Sequence, residues 1–156
     1  MLFSRKRVQH ADASPQGKEI APLMEWRDQF SVGIPSVDRQ HKVLIKYINQ
    51  LHIASQRKDG GAMEIGHILS GLISYTKVHF AYEEMMFRTY QYPEADDHMI
   101  SHRRVLEKVA WYKRRFDNQE SDIAKELLEL LIYWLNHHIL QEDMAYSEYL
   151  VGKGAR

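Results

Sequence analysis

Cysteine is absent from the chain. Disulfides, thiolate-held iron–sulfur or zinc sites and a cysteine nucleophile are excluded together. No charge of one sign dominates either. Lys+Arg and Asp+Glu both number 21, so the basic excess of a typical nucleic-acid binder is missing and no nucleic-acid partner is expected. No apolar run approaches the roughly 18 residues that a bilayer-crossing helix needs, so no membrane span is expected. The basic run Arg5-Lys6-Arg7 leads into Val8-Gln9-His10 rather than an apolar core. No secretory leader is read there, and a cytoplasmic location is expected. Proline is scarce, and no segment alternates apolar and polar residues like a half-buried strand. What is present is an ordinary globular balance, 44% hydrophobic and 27% charged over 156 residues, enough for one domain with its own core. The exception is histidine, with nine copies.

Residues 1–23 mix charges with Ser14, Pro15, Gly17 and Pro22 and show no periodicity. They read as a flexible N-terminal extension, in which Arg5 to Arg7 offer a contact for a protein partner. Residues 24–150 read as the domain and 151–156 as a C-terminal tail. After a Gly/Pro-marked lead-in, Trp26 to Pro35, four helical segments follow. The first spans about Ser36 to Arg57 and stops at Asp59-Gly60-Gly61. The second spans about Ala62 to Tyr90, and Pro93 closes its connection. The third spans about Glu94 to Phe116. The fourth runs to about Leu150, with Ser121 as its expected cap. Amphipathic helices of this length with short connections predict an all-α, up-down-up-down four-helix bundle. The charged outer faces favour a monomer.

The inward faces of such a bundle should be apolar, yet all four carry histidine. His79 and Glu83 stand i,i+4 on the second segment, and His98 and His102 stand i,i+4 on the third. Four residues advance about 400° around a helix, so each pair emerges on one face, a turn apart. His41 adds a ring from the first segment. His138 adds another from the fourth, with Glu142 and Asp143 just beyond. One such histidine is ordinarily a hydrogen-bonded core residue. This many buried polar groups would cost about 1–3 kcal/mol each without partners, and a shared metal satisfies them together. His52 lies about 16 Å further along the axis than His41 and cannot join. His67 fails likewise, His137 is off the stripe, and His10 is in the extension. Five imidazoles with two carboxylates and no sulfur suit iron, zinc, copper or manganese, and seven ligands are too many for one ion. Spacing alone favours Glu142 as the second acid, about 40° from His138, over Asp143 at about 140°.

The sequence closely resembles the hemerythrin family over residues 24–150. The resemblance rests on Trp26, on Val32-Gly33-Ile34, and on Val37-Asp38-Arg39-Gln40-His41. It continues in His79-Phe80-Ala81-Tyr82-Glu83-Glu84, in His98 and His102, and in Trp134-Leu135-Asn136-His137-His138-Ile139 followed by Asp143. It implies a non-haem di-iron centre with a bridging oxide or hydroxide that binds dioxygen reversibly. His98, His102 and His138 would hold one iron, and His41 and His79 the iron with the open position. Glu83 and Asp143 would bridge. Phe80, Trp134, Leu135 and Ile139 would line the gas pocket. Asp143 in place of Glu142 requires a local distortion, such as a π-type turn after His138. Storage, transport or delivery of oxygen is the leading expectation, without a catalytic role. An oxygen- or redox-sensing module and a peroxidase-like di-iron enzyme are the alternatives.

Overall fold

The computed structural model describes residues 20–57 and 61–156. Expectations that fall on residues 1–19, including Arg5 to Arg7 and His10, and on Asp59 and Gly60, lie outside these. Helix α1 spans Pro35–Ser55, α2 Ala62–Tyr90, α3 Ala95–Asp117 and α4 Ile123–His137. A π-helical stretch, His138–Asp143, continues α4 directly into α5, Met144–Gly152, so these three form one rod. Each rod packs on the next, and the fourth closes against the first. The result is the expected up-down-up-down bundle with no strand among the described residues. No helix among them is long and apolar enough to cross a membrane.

Local sequence accounts for the helix ends. Pro35 opens α1, where its fixed φ suits the first turn and its missing N–H costs nothing. Helix α2 ends at Gln91, in the left-handed region at φ 55°, and Tyr92 N–H returns to Phe87 C=O at 2.9 Å. Helix α3 carries Asp96 and Asp97 in its first turn and Arg114 and Arg115 in its last, complementing the helix dipole. Ser121 is not the cap of α4. Asp122 holds that position at φ 60°, and no side chain bonds the free N–H groups there. The α5 helix runs on through Val151 and Gly152, and Ala155 is buried.

The lead-in contains one 3-10 turn, Asp28–Phe30, with Phe30 buried. Asp38 accepts Ser31 Oγ at 2.6 Å and Val32 N–H at 2.9 Å, tying the lead-in to the first turn of α1. Gly33, at φ +69°, makes the bend between them, a conformation costly for any residue with a Cβ. Further back, Asn49 accepts N–H bonds from Leu23 and Met24 and donates to Met24 C=O. Asp38 thus ties the lead-in to the start of α1, and Asn49 ties its earlier residues about two thirds of the way along the same helix.

The antiparallel order sets the depth of every polar core residue. His41 is near the start of α1, His79 and Glu83 near the end of α2, His98 and His102 near the start of α3, and His138 and Asp143 late in the fourth rod. All fall at one end of the bundle. The other end is closed by fully buried Ile48, Leu51, Leu69, Leu72, Leu127 and Leu131. Burial of such side chains contributes about 1.5–3 kcal/mol each. One half of the bundle is therefore apolar throughout, and the other encloses a polar cluster within its apolar wall.

Candidate metal centre

His41, His79, His98, His102, His138, Glu83 and Asp143 converge in the polar half, and none is more than 7% exposed. Asp143 Oδ2 lies 2.9 Å from His41 Nε2, while its Oδ1 lies 3.4 Å from both His98 Nε2 and His138 Nε2. Glu83 Oε2 is 3.1 Å from His102 Nε2 and 3.7–3.8 Å from the Nε2 atoms of His79, His138 and His98. Despite these distances, the five Nε2 atoms, Glu83 Oε2 and both Asp143 oxygens make no aligned hydrogen bond. They face a common space rather than one another. Their donor atoms form two nests within 4.8 Å, one of His41, His79, Glu83, His138 and Asp143, the other of Glu83, His98, His102 and His138. Buried polar atoms are ordinarily paired, so this many orphans at one point mark a missing cation. The nitrogen-rich, sulfur-free donor set fits a pair of non-haem iron ions.

The π-helical stretch brings Asp143 into this set. Its i→i+5 bonding lets five residues make about one turn, so Asp143 returns to the face of His138. Glu142 is displaced to the outside. There its Oε2 accepts His138 Nδ1–H at 2.8 Å, and its Oε1 accepts Ser101 Oγ–H at 2.5 Å. Two similar supports carry no role in the sequence reading. Gln40 Oε1 meets His79 Nδ1 at 2.9 Å and Glu84 Oε1 meets His102 Nδ1 at 3.2 Å. An outer acceptor keeps the ring proton on Nδ1 and leaves the Nε2 lone pair aimed inward. Gln40 and Glu84 each sit beside a core residue in the motifs, and that adjacency was the available signal. Tyr146 is a third support, donating its hydroxyl to Glu83 Oε1 at 2.5 Å. It stands three residues beyond Asp143, on the same helix face. Phe80 stacks on His102 at 3.7 Å between ring centroids, and Trp134 stacks on His138 at 5.2 Å. Leu135 and Ile139 are fully buried on the same rod.

Metal-free, the cluster balances its own charge. Burial disfavours a charged His98 ring, but the carboxylates of Asp143 and Glu83 outweigh it and raise its pKa to about 9. His138 is raised against the same burial penalty, by Asp143, Glu142 and Glu83, to about 10. His79 is lowered by burial to about 3. Burial pushes Glu83 and Asp143 up, but the surrounding imidazoles hold both below the usual carboxylate range. Two imidazolium rings thus stand in for the missing cation. Because both values lie above the ordinary 6.5, their stabilisation is full below about pH 6.5 and is lost as pH rises through 9 and 10. Metal-free protein is expected to lose thermal stability, on the order of 10 °C, between pH 6.5 and 9.5 in scanning calorimetry. Metal-loaded protein, whose coordinated rings are already neutral, is expected to hold level.

A family model described as the hemerythrin HHE cation binding domain matches residues 32–150. The chain belongs to the hemerythrin family. The bacteriohemerythrin of Stenotrophomonas maltophilia is 35% identical over 126 residues, covering 81% of this chain and 80% of the relative. That of Pseudomonas aeruginosa is 36% identical over 123 residues, covering 79% and 78%. A solved wild-type hemerythrin structure superposes with a TM-score of 0.76 at 28% identity, covering 82% of this chain and 98% of its own. The hemerythrin match spans all four rods and every residue of the cluster. His52, His67 and His137 lie outside the cluster, half-buried or exposed.

Proposed function

We propose that this hemerythrin binds dioxygen reversibly at a di-iron centre and stores, carries or delivers it, as a monomer in the cytoplasm. One observation carries the reading: seven buried side chains aim unpartnered donor atoms into two adjoining nests. When bound, the iron pair and its bridging oxide or hydroxide supply the electrons and the open position that dioxygen binding needs. The chain's own residues do the rest.

His98, His102 and His138 would hold one iron, and His41 and His79 the other. His138 is within reach of both nests, but its ring lies 5.4 Å from those of His98 and His102 against 6.4 Å from His41 and 5.7 Å from His79. Asp143 would bridge, since Oδ2 lies beside His41 while Oδ1 lies beside His98 and His138. Glu83 shares Oε2 between nests while Tyr146 fixes Oε1. With three imidazoles against two, the open position would fall beside His41 and His79. Phe80, Trp134, Leu135 and Ile139 wall this end with apolar surface and exclude water. Neutral imidazoles stabilise high-valent iron less than carboxylates do, which favours release of oxygen over its activation.

Anaerobic reconstitution with ferrous iron tests the reading. The expected result is about two irons per chain and an optical spectrum that cycles as oxygen is admitted and removed. A colourless protein that takes up only zinc, or iron that oxidises in one pass without release, rejects it.

A further inference from the structure

Six of the seven inward side chains are sealed, at 1% exposure or less, and His98 alone shows an edge, at 7%. That edge opens into a cleft of about 190 Å³ between the start of α3 and the fourth rod. Tyr92, Glu94, Asp97, His98, Glu142 and Ala145 line it. Half of them are carboxylates and none is a lysine or arginine. Glu94 and Asp97 are exposed at the mouth, where the Tyr92 hydroxyl steadies Glu94 at 3.3 Å. Glu142 forms the inner wall, already engaged by Ser101 and His138.

Two further observations single out this cleft. The outer nitrogens of His79, His102 and His138 are held by Gln40, Glu84 and Glu142, whereas no side chain among the described residues holds Nδ1 of His98 or His41; His41 is sealed at 0% exposure, so of these two only His98 reaches a cleft. His98 is therefore a nine-tenths-buried ring that borders both the cleft and the cluster. On the far side of Glu142 lies a second cleft of similar volume, lined by Arg104 and Lys108 and by none of the seven. The two openings have opposite charge. A carboxylate-lined cleft with low-dielectric walls concentrates cations, and the other repels them.

We propose that the His98 cleft is the loading port for the metal centre: Glu94 and Asp97 capture a hydrated ferrous ion, and His98 passes it to Glu83 and Asp143. The proposal rests on the metal-centre reading above. The ion exchanges water for carboxylate oxygen and then for imidazole nitrogen, the ring's extra proton leaving to bulk water, without change of oxidation state. Hard carboxylates at the surface bind such an ion weakly enough to release it inward, where more donors converge.

The test is the anaerobic loading rate of the full metal-free chain with ferrous iron, read as protein-bound iron after rapid desalting. Cobalt(II), followed by its visible absorption, serves as a parallel probe that needs no oxygen chemistry. Glu94→Gln combined with Asp97→Asn is expected to slow loading roughly tenfold at low salt, with unchanged final metal content. The difference should shrink near 0.5 M salt, where screening acts within a few ångströms. Arg104→Gln combined with Lys108→Gln should load at least as fast as the native chain. Equal rates for the acid variant, or slower loading for the Arg104 and Lys108 variant, overturn the port. A lower final metal content in the acid variant also overturns it, because the acids would then hold the resident metal or the fold. A native chain that takes up no metal rejects the centre itself rather than its route of loading.

Discussion

Alanine in place of Asp143 is expected to reduce iron content from about two per chain to below one, whereas alanine in place of Glu142 is expected to leave both sites fillable. The two acids are neighbours, and their difference comes from backbone geometry. Asp143 is fully buried, with Oδ2 toward His41 and Oδ1 toward His98 and His138. Its loss removes a donor of one nest that also lies 3.4 Å from two rings of the other. Glu142 touches the cluster only through His138 Nδ1. Its loss frees that ring to turn and removes the acceptor that fixes its tautomer, an effect worth about 10–100-fold in metal affinity. Excess iron should therefore refill the Glu142 variant but not the Asp143 variant. Iron analysis after desalting, at stoichiometric and at fiftyfold added iron, separates the two. If the Glu142 variant alone stays empty, the assignment of the second bridging acid is wrong.

That pair also shows where the sequence is legible and where it stops. The second helix can be placed from Ala62 to Tyr90 by apolar spacing and breakers, and the structure has those bounds. The i,i+4 pairs His79/Glu83 and His98/His102 need only regular helix geometry, and they meet as drawn. Asp143 does not follow from periodicity, because a π turn changes the period exactly where it matters. Only the family motif, with its acid five residues after His138, pointed there. Ser121 failed as a cap for a related reason. Asp122 takes a left-handed conformation that local composition did not signal. Tyr146 was invisible because its meaning depends on the turn before it. Gln40 and Glu84 act on ring nitrogens that face away from the cluster, and a search for inward-facing residues passes over them.

Removing iron is expected to lower the melting temperature by on the order of 20 °C at neutral pH. The estimate follows from linkage, since each site held at a thousandfold excess over its dissociation constant contributes about 4 kcal/mol. For a chain of this length each kcal/mol shifts the midpoint by about 2–4 °C. The structure says where the loss must fall. Among the described residues, nine of the ten buried unpartnered side-chain atoms belong to the seven residues of the cluster, in the polar half of the bundle. The opposite half, around Leu51, Leu69 and Leu127, is sealed by apolar side chains at 0% exposure and needs no metal. Metal-free protein should therefore keep most of its helical circular dichroism. Amide exchange should accelerate selectively at the start of α3 and through His138–Asp143, and remain slow in the apolar half. The imidazolium rings of His98 and His138 restrain this loosening at pH 6.5 and give way as pH rises through 9 and 10, so the exchange contrast should widen with pH after correction for intrinsic rates. A melting temperature unmoved by iron, or exchange that accelerates uniformly along all four rods, is incompatible with a metal that ties the four rods together at one end.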